Sequence, residues 1–182
     1  MNKVSWSIFA AVVVLLLGGL IVYSQLNRTT VDVEQVDVNS IIGANEQNGN
    51  IADHVFNDTE SKVVLVEYGD YQCPGCGAAH PNIKTLLDEY GDRISFVFRN
   101  LPLTSIHPNA RAAASAAEAA GLQGKFWEMN DFLFESQSEW QNLTATQRTD
   151  AFVGYADTLG LDGEKFREDY AGQPVNMKIT FD

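Results

Sequence analysis

The sequence predicts an α/β domain with an inserted helical section, held behind one N-terminal transmembrane helix. Three observations predict it. An uncharged, apolar run opens the chain, two short β-branched runs flank one helical pattern, and further helical patterns follow the second run. The chain has 182 residues, 45% of them apolar, enough for one core of ordinary domain size and too apolar for disorder. Its formal net charge of -12 repels polyanions, so nucleic acid is not an expected partner. Cys73 and Cys76 are the only cysteines, which excludes a disulfide-stapled scaffold and a four-cysteine metal or iron-sulfur site in one chain.

Val4 to Tyr23 carries no charge. At about 1.5 Å per residue it reaches about 30 Å, the thickness of a bilayer's hydrocarbon core. Lys3 and the terminal amine favour a cytoplasmic N-terminus over residues 1–3, while Arg28 weighs slightly against it. The run is longer than the roughly 7 to 15 residues of a cleaved signal core, so an uncleaved signal anchor over residues 4–23 is the favoured reading. A removed signal peptide, with Val22 and Ser24 before the cut, is the other. Both put the body outside the cytoplasm, and the anchor makes it a single-pass protein of the cell membrane. Residues 24–50 are polar and without a helical stripe, which predicts a flexible tether to a domain over residues 51–182.

Within that domain, Lys62 to Tyr68 is β-branched, short and bounded by Gly69, which predicts a buried strand. Pro74 suits the first helical position, where its missing N–H costs nothing. Ile83, Leu86, Leu87 and Tyr90 share one helical face that ends at Gly91, with Pro81 expected to kink the helix. Ile94 to Phe98 reads as a second strand, and a strand–helix–strand sequence of this length implies a parallel pair. Four helices follow over about residues 104–172: an alanine-rich one at Ala110–Ala120, one over Phe126–Glu135, one capped by Thr144 with Gln147, and one capped by Asp162. A two-stranded sheet is marginal alone. The alternation of Val175, Met177, Ile179 and Phe181 suggests a third strand.

Cys73-Pro74-Gly75-Cys76 is the chemically loaded motif. Between a strand and a helix, Cys73 occupies the N-cap, facing unpaired backbone N–H groups and the positive end of the helix dipole. Both favour a thiolate. Cys76, one turn on, is close enough to resolve a mixed disulfide formed at Cys73. A metal-binding module or metallochaperone using Cys73, Cys76 and His80 is a rival, with no fourth ligand apparent. His80 alone reads more readily as a packing residue.

Val64 to Cys76, with His80-Pro81 following, resembles the exported DsbA-type branch of the thioredoxin superfamily. The resemblance implies a thioredoxin-like fold with an inserted helical domain, no bound cofactor, and disulfide exchange with exported proteins that carry thiols or disulfides. It implies a membrane redox partner, Cys73 as nucleophile and Cys76 as resolving thiol. Glu67, six residues before Cys73, matches a buried acid that assists proton transfer at the thiols; a solvated strand-edge carboxylate is the alternative. The family continues past its helical insertion with a cis-proline loop, two antiparallel strands and a helix, whereas this sequence ends at Asp182. The resemblance therefore implies a chain incomplete at its C-terminus, with a truncated, non-catalytic remnant as a further possibility. It also implies a helix beginning over Met177–Asp182, against the alternation.

Overall fold

The computed structural model describes Trp6, residues 13–19, Tyr23, 41–57 and 63–182. Among the described residues no helix is long and apolar enough to cross a membrane. The predicted anchor lies largely outside those residues; of it, Trp6, residues 13–19 and Tyr23 are helical.

Three strands form one sheet in the order β1 (His54–Phe56), β3 (Ser95–Asn100), β2 (Val64–Gly69). β2 and β3 are parallel, as expected, with Val64 opposite Ser95 and Gly69 opposite Asn100. β1 joins β3 antiparallel and pairs His54 with Phe98. The sequence reading lacks β1, because three residues give no measurable period. The third strand therefore comes from upstream, not from the C-terminus. All six residues of β3 are buried, since a middle strand is covered on both faces and alternation loses its meaning there.

The helix α1 (Pro74–Tyr90) runs from the first cysteine through Pro81 as one continuous element. Beyond β3 come α2 (Ala110–Gly121), α3 (Phe126–Glu135), the short α4 (Gln137–Trp140), α5 (Ala145–Thr158), α6 (Gly163–Tyr170) and α7 (Gln173–Phe181). The expected caps are present: Thr144 and Gln147 close a capping box, and Asp162 accepts from the backbone N–H of Glu164 and Lys165. Seven buried alanines of α2 let α3, α6 and α7 pack close around it. Trp140 is fully buried, donates its indole N–H to the Leu133 carbonyl at 2.9 Å, and meets Phe152 edge-on.

Two expectations give way. The tether predicted through residue 50 ends sooner. Asn45 caps a short 3-10 turn, Glu46–Asn48, and the Asn48 side chain is fully buried. Gly49 follows at φ 67, where an added Cβ would stand 2.2 Å from the Pro174 carbonyl oxygen, so glycine lets this turn lie on α7. The C-terminal alternation is no strand either. Pro174 sits in the first turn of α7, and Val175, Lys178 and Ile179 are buried at helical spacing. A helix forms here in keeping with the resemblance, but it begins at Gln173, ahead of Met177, and ends at Phe181.

A buried charge network ties α7 to the sheet. Lys178 Nζ lies 2.9 Å from Asp53 Oδ1 and 2.5 Å from Asp182 Oδ1, and Arg99 Nη2 lies 2.7 Å from Asp53 Oδ2. Asn100 Nδ2 donates to Glu118 Oε1 at 2.7 Å, and His54, stacked on Phe126, meets Glu118 Oε2 at 2.8 Å. Two positive and three negative groups are thus enclosed with partners, the condition under which buried charges are tolerated.

Candidate redox site

The site begins where β2 must turn into α1. Gly69 ends the strand, and a Cβ there would stand 2.3 Å from the Phe98 ring, so glycine admits that ring beneath the turn. The next three residues are each tied to a different part of the helical section. Asp70 Oδ2 accepts from the Leu103 N–H at 2.9 Å and meets His107 Nδ1 at 2.8 Å, while Oδ1 accepts from the Gln72 N–H at 2.7 Å. Tyr71 is buried between Phe98 and Phe134, and its hydroxyl accepts from Asn130 Nδ2 at 2.9 Å. Gln72 Oε1 accepts from the Asn109 N–H at 2.6 Å, and its Nε2 donates to the Gln141 carbonyl at 2.8 Å. From α4, Gln137 Nε2 donates to the carbonyls of Tyr71 (2.7 Å) and Cys73 (2.9 Å).

This clamp fixes the cysteines. Cys73 is the N-cap of α1, with extended φ -70 and ψ 121, and its side chain makes no capping hydrogen bond. Its sulfur lies against the first turn of the helix, 3.6 Å from where a Cβ on Gly75 would stand. Pro74 and Gly75 are exposed and both cysteines are half-buried, so the turn is open to a partner. Burial pushes the Cys76 thiol above its ordinary value; a backbone hydrogen bond from Asp70 opposes this, and the neighbouring Cys73 and the charge of Glu67 add to it.

Glu67 is half-buried on β2, not a solvated edge carboxylate. Burial raises its carboxyl above the usual range, and the charge of His80 partly offsets the rise. It lines a pocket of about 80 Å³ with Phe96, Trp127, His80, Lys84 and Asp131. His80 is 8% exposed and stacks on Phe134 with ring centroids 4.9 Å apart. Its Nε2 lies 3.0 Å from Asp131 Oδ1, outside hydrogen-bond geometry.

The structure does not bring the three residues of the metal rival together. Among the described residues, the donors that converge within 4.8 Å are His80, Asp131 and Glu135, with no cysteine among them. Lys84 Nζ already supplies the positive charge there, 2.8 Å from Asp131 Oδ2 and 2.9 Å from Glu135 Oε1. His80 points toward α3, away from any set that would include both sulfurs.

Sequence reasoning places Cys73, Cys76, Glu67 and His80 and misses the clamp. Asp70 was within reach, since an Asp two residues before a turn N–H commonly closes an Asx turn. Gln72, Asn109, Asn130 and Gln137 carry no local signal, because their partners lie 32 to 69 residues away in sequence.

The thioredoxin family, by its sequence model, matches residues 49–173. A thioredoxin-like oxidoreductase from Silicibacter pomeroyi DSS-3 superimposes at TM-score 0.57 with 26% identity, covering 71% of this chain and 69% of that one. BdbD from Bacillus subtilis superimposes at 0.59 with 22% identity over 77% of this chain and 75% of its own. α-DsbA1 from Wolbachia pipientis reaches 0.58 at 21% identity, covering 70% and 64%. Among curated proteins, Na(+)/H(+) antiporter NhaA 1 of Salinispora arenicola is 45% identical over 130 residues, 71% of this chain and 19% of the antiporter. NhaA 1 of Mycobacterium sp. (strain KMS) is 41% identical over 119 residues, 64% and 18%. The chain spans about a fifth of the length of these curated relatives. With the family model matched over most of its length, this chain belongs to the thioredoxin family, and its fold is similar to those of solved DsbA-type proteins.

Proposed function

We propose that this protein is a membrane-anchored, extracytoplasmic thiol-disulfide oxidoreductase that exchanges disulfides with exported proteins through Cys73 and Cys76. The observation that carries it is the pair of free, half-buried cysteines set one turn apart at the leading end of α1. In the reductive direction the Cys73 thiolate attacks a substrate disulfide, and the far substrate sulfur leaves as a thiolate. Cys76 then gives its proton to Glu67 and attacks Cys73, expelling the second substrate sulfur as a thiolate. The substrate disulfide becomes a dithiol and the Cys73–Cys76 pair becomes a disulfide; the reverse sequence oxidises a substrate. Glu67, with its carboxyl raised by burial, is suited to trade a proton with a raised thiol. A membrane redox partner resets the pair.

The anchor is supported by the apolar run Val4 to Tyr23. The antiporter names lend the membrane setting support, since an antiporter works in a membrane. Transport is not carried over, because the shared 130 residues are the size of the thioredoxin match and 19% of the antiporter. The test is exchange between the full chain and a fluorogenic disulfide peptide, with protease shaving of intact cells. Reduction of one equivalent of peptide by the prereduced wild type, none by Cys73→Ser, and digestion of the domain from outside are expected. A wild-type chain as inert as Cys73→Ser overturns the enzyme reading, and a domain protected until cells are broken overturns the location.

A further inference from the structure

Glu67 can serve the thiols repeatedly only if its proton has a way out. On β2 it is half-buried, and the pocket it lines is walled by His80 from α1 and Asp131 from α3. His80 is more than nine-tenths buried, and the approach its Nε2 makes is to the Asp131 carboxylate, outside ideal hydrogen-bond geometry. Its charge acts on Glu67, and the charge of Glu67 in turn acts on Cys76. At the outer end, Asp131 Oδ1 lies 3.0 Å from Nε2, and the Asp131 side chain is 41% exposed.

We propose that His80 is a positioning residue for proton transfer at the redox centre, passing the proton between the Glu67 carboxyl and bulk water with Asp131 at the outer end. This rests on reading Cys73 and Cys76 as the exchanging pair. In the resolving step the Cys76 S–H bond breaks, the Cys76–Cys73 bond forms, and the substrate sulfur leaves with the electron pair. The proton moves to Glu67, then to one nitrogen of His80, which releases its other proton outward. In the reverse direction each transfer runs backward, so no further reactant is needed. The charged groups that face His80 are Glu67 from β2, Lys84 and Asp88 from α1, and Asp131 and Glu135 from α3. Lys84 pairs with Asp131 and Glu135, so the charges at the outer end are balanced.

The experiment follows the resolving step in the full-length protein, starting from a mixed disulfide of a peptide on Cys73 and reading release of the peptide thiol. His80→Ala is expected to slow release about tenfold or more, the lower range for loss of a proton-transfer group. Imidazole, filling the space vacated, is expected to restore the rate with saturation, and an equal concentration of sodium chloride is not. The double variant Glu67→Gln/His80→Ala is expected to be no slower than Glu67→Gln, since both act on one path. A slow His80→Ala that ignores imidazole, or slowing that adds to that of Glu67→Gln, overturns the proposal. Should His80→Ala not fold, the wild type in D2O and His80→Gln in water replace it: slower release in both supports the relay, and unchanged release in both overturns it. A wild-type chain that never forms or resolves the mixed disulfide instead overturns the redox reading beneath, and the relay with it.

Discussion

At the scale of single residues, two shifts do the chemical sorting. Burial pushes the Cys76 thiol up, so the inner sulfur holds its proton until a base takes it. Glu67 is raised by burial, which makes the folded protein hold that proton more tightly than the unfolded chain does. Its contribution to stability is present below the ordinary glutamate range and is lost as the pH rises through the folded value. Glu67→Gln removes that dependence. Urea unfolding should find the variant gaining on wild type at pH 8 relative to pH 4, while its resolving step slows about tenfold or more. An unfolding difference that is equal at both pH values contradicts the burial account. Gly77 is the second sensitive position, because an added Cβ would stand 2.9 Å from Gln137 Oε1. Gly77→Ala should cost about 1–3 kcal/mol by forcing that amide off the turn. Thermal unfolding within a degree of wild type would mean that Gln137 moves freely.

At the scale of elements, the turn before α1 is held by the helical section as much as by the sheet. The Gln137 amide bridges the carbonyls of Tyr71 and Cys73, and both bonds are partly buried. Gln137→Ala leaves the Tyr71 carbonyl without its donor and the Cys73 carbonyl with the Gly77 N–H alone, and should cost about 1–3 kcal/mol. Hydrogen exchange should localise the loosening to residues 70–77, and protection unchanged there would separate the clamp from the turn. The elements legible in the sequence are those with a period or a cap: β2, α1, α2, α3, the capping box of α5 and the Asp162 cap of α6. Those misread are short or positioned by distant partners. His54–Phe56 is a strand because β3 offers it an edge, and 45–50 is ordered because α7 covers it. The alternation in α7 was outweighed by Pro174 in its first turn and by Lys178 finding two buried carboxylates.

For the whole molecule, the core and the charge network join the two ends of the domain. Asp53 lies just before β1 and Lys178 lies in α7, 125 residues later. Lys178→Met removes the cation and leaves Asp182 enclosed with Asn100 as its remaining neighbour. It should cost about 3–5 kcal/mol, as when one member of a buried pair is deleted. A loss below about 1 kcal/mol in urea unfolding would show that water reaches these groups. The redox centre was readable as residue types at a spacing, and Glu67 through a resemblance. What makes it a site, a turn clamped by Gln72, Asn130 and Gln137, is a product of the folded chain. The most direct test of the central claim is trapping. Full-length Cys76→Ala, mixed with a disulfide peptide, should accumulate a peptide adduct that mass spectrometry locates on Cys73, and Cys73→Ala should accumulate far less. An adduct on neither variant, or one that forms equally on Cys76 when Cys73 is replaced, contradicts the assignment of Cys73 as the sulfur that attacks.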